Sequence, residues 1–136
     1  MAIQKAVKIK TQGRGIYDIT DQVAQCVSQS VNAGLCHVFC QHTSASLILC
    51  ENYDGDVKID IETFFLNLVK DGDPRFKHTI EGPDDMAAHI RTLLTQSSLT
   101  IPIVDAQLGL GTWQGVCLYE HRLHSHDRQI VITITE

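Results

Sequence analysis

Histidine is the side chain through which this sequence most directly offers chemistry, and three of its seven histidines stand at suggestive positions. The first, His42, ends an alternating apolar strand pattern that begins at Cys36, and the hydroxyls of Thr43 and Ser44 follow it. An imidazole at the rim of a strand suits metal ligation or proton transfer. The alternative is a structural histidine that is hydrogen-bonded to a turn carbonyl.

The other two histidines, His78 and His89, belong to a region with a predicted helix. Asp85 precedes His89 by four residues, so the two side chains can meet on one face of that helix. The carboxylate can then fix the imidazole tautomer and leave the other ring nitrogen for a metal or a substrate. Alternatively, Asp85 only complements the positive end of the helix dipole. No HExxH spacing is present, so any shared histidine site depends on the fold.

Polar side chains also cluster at the start of the second predicted helix and near the end of a predicted strand. Four of them gather around the start of the second predicted helix: Glu51, Asn52, Asp54 and Asp60. They indicate either helix capping with a solvated face or an oxygen-ligand site for magnesium. The segment Leu108–Gly115 interrupts a strand pattern with glycines, which predicts a bulge or a close backbone approach. Thr112, Trp113 and Gln114 at its end offer a flat ring and hydrogen-bonding groups.

Basic side chains could hold an anionic ligand in an otherwise acidic chain. Arg122 and Arg128 flank a predicted turn and could bind a phosphate through paired N–H donors. Lys77 adds a positive charge next to His78. The sequence therefore predicts local rather than overall complementarity to a phosphorylated ligand.

The elements that must position these residues follow the order ββαββαα and then four strands. This order predicts an α+β fold, because a parallel βαβ array would need more crossover helices. Thr20 is predicted to cap a helix that continues to Val31, Asp54 to cap the second helix, and residues 81–84 to precede the third. The apolar faces expected on the second and third helices comprise Val57, Ile61, Phe64, Phe65, Leu68, Met86, Ile90, Leu93 and Leu94.

Composition limits the classes of function. The 136 residues suit a single domain spanning 1–136, and the formal net charge of −5 is a poor match to nucleic acid or an anionic membrane. No apolar run is long enough to cross a bilayer, and the N-terminal residues lack the apolar core of a signal peptide. The five cysteines, without a CxxC pair, are expected to be reduced and buried in a cytoplasmic protein.

In combination, the polar motifs resemble those of the YjbQ-like family over nearly the whole chain. The matching blocks are His42–Leu47, Glu51-Asn52 with Asp54, His78, Glu81–Met86, Ala88–Ile90, Gly111–Gly115, Glu120–Arg122 and Arg128. One departure is Ala106, at a turn where the family commonly has glycine. Another is His126, where relatives tend to carry a small residue.

The resemblance implies a small α+β fold, a β-sandwich of antiparallel or mixed sheets with about three helices, that assembles as a homotrimer. It also implies secondary thiamine-phosphate synthase activity, in which a pyrimidine diphosphate is joined to a thiazole phosphate and pyrophosphate is released. By position, His42, His78 and His89 are the motif histidines. If they converge, they form a three-histidine site with an open fourth position, as in catalytic zinc centres.

The sequence therefore predicts an enzyme with a pocket at a rim or between subunits. His42, His78 and His89 bind a divalent metal, zinc or magnesium, or act as acid and base. Asp85 orients His89, while Arg122 and Arg128 hold the anionic substrate. The remaining predicted site residues are Glu51 in catalysis and, in substrate binding, Thr43, Ser44, Asn52, Thr112, Trp113 and Gln114.

Two other functional classes stay open at this point. One is a metal-dependent hydrolase of a small phosphorylated metabolite, which would use a metal to activate water. The other is a non-catalytic metabolite-binding trimer, in which the histidines form a structural or ligand site.

Overall fold

The computed structural model describes residues 2–136. Within these residues, three helices and eight strands follow one another in the predicted order. The strands are β1 (Ala2–Lys10), β2 (Gly15–Asp18), β3 (Ala33–Cys40), β4 (Ala45–Glu51), β5 (Ser98–Val104), β6 (Gln107–Leu108), β7 (Gln114–Glu120) and β8 (Asp127–Thr135). The helices are α1 (Thr20–Ala24), α2 (Gly55–Leu68) and α3 (Asp85–Leu94).

The strands form two antiparallel sheets. The larger has the order β1-β8-β3-β5-β6, and the smaller has the order β2-β7-β4. The core lies where the two sheets face each other, and its members from the large sheet include Cys36, Val38 and Ile132, while Leu47 and Leu118 come from the small one. Alternation along the strands directs these side chains inward. The predicted α+β, sandwich-like fold with three helices is confirmed.

The helix predictions hold for α2 and α3 but fail for the length of α1. The Asp54 carboxylate accepts a hydrogen bond from the backbone N–H of Asp56, as expected of an N-cap. Thr20, in contrast, does not cap α1, which ends at Ala24 instead of continuing to Val31. The Thr20 hydroxyl is already engaged, because it donates to Asp18 and accepts from the backbone N–H of Val116.

The apolar faces expected on α2 and α3 are only partly buried. Phe64 and Leu68 of α2 are exposed, as are Leu93 and Leu94 of α3, the first of these two at 81%. The buried face of α3 instead includes a charged side chain, Arg91, which pairs with Glu62 of α2. Helical apolar spacing therefore does not mark the core at these residues. Of the helices in residues 2–136, none has the length and apolar character needed to cross a bilayer.

The turn between β5 and β6 is left-handed although it lacks glycine. Asp105 and Ala106 have φ angles of 52° and 63°, and Val104 pairs with Gln107 across the turn. Two residues with positive φ form the tight hairpin turn whose twist matches that of the strands. Aspartate tolerates this conformation better than alanine does, so Ala106 carries the strain. The turn therefore has positive φ angles at both central residues although neither of them is glycine.

Replacing Ala106 with glycine should therefore stabilise the protein. Relief of the left-handed strain outweighs the added entropy of the unfolded chain by about 0.5–1 kcal/mol. Urea unfolding of Ala106→Gly measures this gain. Ala6→Gly, in exposed strand β1, serves as the control and should lower stability. Equal destabilisation by both substitutions would contradict a strained Ala106.

Candidate metal centre

Helix α3 places a carboxylate and an imidazole on one face near its N-terminus. Asp85 opens the helix, is almost completely buried, and lies 3.0 Å from His89 through its Oδ2 and the histidine Nε2. The loop before α3 brings His78 to the same oxygen, with its Nε2 2.7 Å away. The two imidazole rings have centroids 5.4 Å apart. Across the described residues, His78, Asp85 and His89 are the group whose ligand atoms lie close enough to hold a metal, within 4.8 Å of one another.

The tautomer of His89 follows from its second contact. Its Nδ1 lies 2.9 Å from the backbone carbonyl oxygen of Thr43, which can only accept, so Nδ1 carries the proton. In the neutral ring, Nε2 then presents a lone pair to the Asp85 carboxylate. Two lone pairs at 3.0 Å repel each other unless a proton or a cation lies between them. This donor set, with an orienting carbonyl behind the imidazole, is typical of protein metal ligands.

The other oxygen of Asp85 is fixed by Arg122. The guanidinium contacts Asp85 Oδ1 at 2.9 Å and Asp84 Oδ2 at 2.8 Å, and donates a third bond to the carbonyl of Glu81. Although burial opposes the effect, the hydrogen bond from His78 and the charges of His89 and Arg122 keep the pKa of Asp85 below its usual value. Asp85 is therefore an anion held in one orientation. Three N–H donors of Arg122 thus serve carboxylates and a backbone carbonyl within the chain, and its substrate-binding role stays a prediction.

His42 does not join this group within the chain. The backbone N–H of Gln129 donates to His42 Nε2 at 2.7 Å, so the nitrogen that would ligate a metal is already an acceptor. Burial and the positive charge of Arg128 lower the pKa of His42, which favours the neutral ring. The predicted three-histidine cluster is thus replaced by His78, Asp85 and His89. His42 and His89 nevertheless line one surface cavity of about 490 Å³, together with Thr43.

Arg128 is buried in the interior of the protein, away from solvent. Its Nε lies 2.8 Å from Oε1 of Glu120, and both side chains are at least 96% inaccessible. Nη2 of Arg128 donates to Oε2 of Glu120 and also reaches the carbonyl and hydroxyl oxygens of Ser44. Thr11 donates to the same Glu120 carboxylate. The predicted substrate-binding roles of Arg128 and Ser44 are therefore corrected to a structural ion pair.

The remaining predicted site residues lie at the far end of the small sheet. Ala45 pairs with Glu120 at the end of the sheet near His89, whereas Glu51 pairs with Gln114 six residues further along, about 20 Å away. Glu51 accepts from the backbone N–H of Asp54, and Asn52 bridges Asp18 and Lys58. These contacts match the capping interpretation rather than a magnesium site.

The glycine-rich segment lies at that same far end. The Gln114 side chain accepts from the backbone N–H of Gly111, and exposed Trp113 packs edge-on against Tyr53 with ring centroids 5.2 Å apart. Thr112 is exposed beside them. A single chain therefore does not bring Thr112, Trp113 or Gln114 to the histidines. The predicted close approach at Gly109 is present, since a Cβ there would lie 2.9 Å from the carbonyl oxygen of Pro102.

A buried network behind the site was missed from the sequence. Arg91 is fully buried and donates to Glu62, which also accepts from the hydroxyl of Tyr119 at 2.7 Å. Buried His121 packs against the Tyr119 ring and is hydrogen-bonded to Ser46 at 2.8 Å. The burial of His121 could not be predicted from alternation, because both faces of β7 are buried from Gly115 to Glu120. No pattern in the sequence indicated the contact between Glu62 and Arg91.

Comparison with known proteins places this fold and its motifs in one family. Residues 5–136 match the family model described as UPF0047 protein YjbQ-like. The chain belongs to the YjbQ-like UPF0047 family. It is 47% identical to the UPF0047 protein sll1880 of Synechocystis over 97% of this chain and 90% of the relative. It is 40% identical to UPF0047 protein YjbQ of Escherichia coli O157:H7 over 98% of both chains.

Solved structures of the family share the architecture. A YjbQ/UPF0047 protein from Clostridium acetobutylicum superimposes with a TM-score of 0.85 at 34% identity, over 98% of this chain and 99% of the other. The hypothetical protein APE1520 from Aeropyrum pernix has a TM-score of 0.87 at 27% identity, over 98% of both chains. The family is of unknown function, so membership confirms the resemblance and the fold but assigns no activity.

Removing Arg128 should destabilise the protein rather than weaken substrate binding selectively. Arg128→Met leaves the Glu120 carboxylate buried without its partner, which costs about 3–5 kcal/mol. Urea unfolding measures this loss. The control is Arg75→Met, which removes the exposed Arg75 side chain from its pair with Asp73 and should leave the unfolding midpoint nearly unchanged. Wild-type stability in Arg128→Met would contradict the structural role.

Buried His121 should make stability depend on pH. Burial, and then the charges of Arg91, Arg14 and Arg128, lower its pKa to about 2, whereas the unfolded chain titrates near 6.5. Below pH 6.5 the unfolded state binds the extra proton, so stability falls by about 2–3 kcal/mol from pH 6 to pH 4.

The variant that removes this titration is His121→Gln. Urea unfolding at pH 6 and pH 4 should show a smaller loss for His121→Gln than for the wild type, whatever its stability at pH 6. The same substitution at exposed His124 leaves the buried group intact, so the wild-type loss should persist. Identical losses in wild type and His121→Gln would contradict the assignment.

Proposed function

We propose that His78, Asp85 and His89 hold a divalent metal ion and that this centre acts on a small phosphorylated metabolite. The observation that carries the proposal is the meeting of two histidine Nε2 atoms at one oxygen of Asp85. Imidazole and carboxylate together are typical zinc ligands, whereas magnesium prefers a shell of oxygens. The donor set therefore favours zinc over magnesium.

The chain's own residues bind and orient around this centre. Thr43 fixes the His89 tautomer, and Arg122 holds Asp85 by the oxygen that faces away from the histidines. A divalent ion bound at this position would neutralise negative charge on phosphate oxygens. Such neutralisation matters because the positive charge of Arg122 is already compensated by carboxylates within the chain. Exposed Lys77 adds a positive charge next to His78 along the chain.

The reaction implied by the family resemblance is the thiamine-phosphate synthase reaction. Transfer of the pyrimidine group requires charge neutralisation on the departing diphosphate, which the proposed centre would provide. The second candidate is hydrolysis of a phosphorylated metabolite. It is favoured by the partial exposure of His78 and His89 and by the cavities that each lines, of about 380 and 490 Å³, which leave room for water beside a small ligand.

A homotrimer would explain why the predicted site residues occupy two ends of one sheet. The exposed rings of Trp113 and Tyr53 at the far end would lie against a neighbouring subunit, together with the exposed apolar residues Phe64 and Leu68 of α2. A neighbour could in that way complete the pocket beside His89. The cytoplasmic location and the absence of nucleic-acid and membrane partners stay predictions from the sequence.

Metal content tests the centre directly. Wild-type protein incubated with zinc or magnesium and then desalted should carry one metal ion per chain by elemental analysis. His89→Ala and Asp85→Asn should lose it. His42→Ala should retain it, because the His42 Nε2 is occupied by the Gln129 N–H. The matched control is His124→Ala, on the exposed turn. No metal in the wild type, or equal metal in His89→Ala, would overturn the proposed centre.

Turnover separates the functional classes with the same variants. Product from the pyrimidine diphosphate and thiazole phosphate, lost in His89→Ala, supports the synthase. Release of phosphate from phosphomonoesters that EDTA abolishes supports the hydrolase. A metal-loaded protein that shows neither reaction, but a thermal shift with phosphorylated ligands, is the non-catalytic binding trimer and overturns the enzymatic proposal.

A further inference from the structure

Two cysteine sulfurs lie next to each other at the far end of the small sheet. Cys50 is on β4 and Cys117 on β7, and their Sγ atoms are 3.6 Å apart. Cys50 stands directly opposite Gly115, so the two cysteines are diagonal neighbours on one face of the antiparallel pair. Because Gly115 has no side chain, the Cys50 thiol can lean across toward Cys117. Neither cysteine belongs to the proposed metal centre.

The other three cysteines have different surroundings. Cys26, Cys36 and Cys40 are buried in the core between the sheets, and burial raises the pKa of each thiol. The Sγ atoms of Cys26 and Cys40 contact backbone carbonyls rather than another sulfur. A neutral, solvent-excluded thiol reacts slowly with oxidants. The expectation that all five cysteines are buried was therefore wrong for Cys50, which is partly accessible.

The surroundings of Cys50 favour its thiolate. The Cys117 thiol can donate a hydrogen bond to the Cys50 sulfur, and the ammonium of Lys58 on α2 adds positive charge, so the pKa of Cys50 is lowered in spite of burial. Asp18 and Glu51 act in the opposite direction. Cys117 is fully buried and keeps its proton, because its hydrogen bond to the Cys50 sulfur, then burial, then the negative charge on that sulfur raise the pKa of its thiol. The pair thus has one reactive and one resolving member.

We propose that Cys50 and Cys117 form a redox modification site, in which a hydroperoxide converts the two thiols into a disulfide within the chain. The Cys50 thiolate attacks one peroxide oxygen, the O–O bond breaks, and a sulfenic acid and hydroxide result. The Cys117 sulfur then attacks Cys50 Sγ, and the S–O bond breaks as the S–S bond forms. The Cys117 proton leaves with the departing oxygen as water. With hydrogen peroxide, two thiols and one peroxide give one disulfide and two waters.

Bond formation requires the two strands to shift as well as the sulfurs to approach, because diagonal neighbours on paired strands lie about 7–8 Å apart, beyond the usual span of a disulfide. The sulfurs must approach from 3.6 Å to the disulfide bond length of about 2.05 Å. The two strands are already hydrogen-bonded neighbours, so the disulfide would link segments that are in contact before oxidation. A dithiol reductant should reverse it by exchange, because Cys50 remains accessible.

Mild peroxide treatment of the reduced full-length protein tests the proposal. Each chain should lose about 2 Da, two hydrogens, and the free thiols measured after denaturation should fall from five to three. Dithiothreitol should restore both values. On a non-reducing gel the protein should run as a single chain, since the bond is intramolecular.

Variants locate the bond. Cys50→Ser should abolish the loss of about 2 Da, as should Cys117→Ala, whereas Cys26→Ala, which removes a buried thiol, should retain it. Should Cys117→Ala fail to fold, Cys50→Ser alone decides, because it changes only a partly exposed side chain. The loss of about 2 Da persisting in Cys50→Ser, a covalent dimer, or the addition of oxygen without loss of two thiols would each overturn the proposal.

Discussion

The interaction on which the rest of the structure depends is the buried ion pair between Glu120 of β7 and Arg128 of β8. These residues belong to different sheets, so the pair fixes how one sheet lies on the other. A buried charge is tolerated only with a partner in good geometry, and Thr11 and Ser44 complete the hydrogen bonds of both ions. The pair thereby fixes the start of β4 and the end of β7, the two segments that orient the candidate centre.

The candidate centre depends on this arrangement through backbone as much as through side chains. The carbonyl of Thr43, immediately before Ser44, sets the tautomer of His89. Arg122, two residues beyond Glu120, clamps the oxygen of Asp85 that does not face the histidines. The ligands His78 and His89 come from the loop and helix that pack against these segments. A site of this kind is oriented by the sheet although its ligands lie outside the sheet.

The order of the elements, the cap at Asp54 and the meeting of Asp85 with His89 could be predicted because each follows from local periodicity or spacing. The length of α1 could not, because the hydroxyl of Thr20 is engaged by Val116, which is far away in sequence. The buried side of α3 was also unpredictable. Its central residue is Arg91, which becomes compatible with burial only through Glu62 on another helix.

The sequence by itself determined the family, the α+β order of elements and the histidines to consider, since these reside in residue types and short spacings. Only the tertiary structure decided which histidines share a site. It placed His78 beside Asp85, gave the Nε2 of His42 to a backbone N–H, and buried Arg128 in an ion pair. The physical reason is that hydrogen-bonding capacity is limited. Whether a polar side chain is free for a ligand depends on which distant groups the fold brings to it.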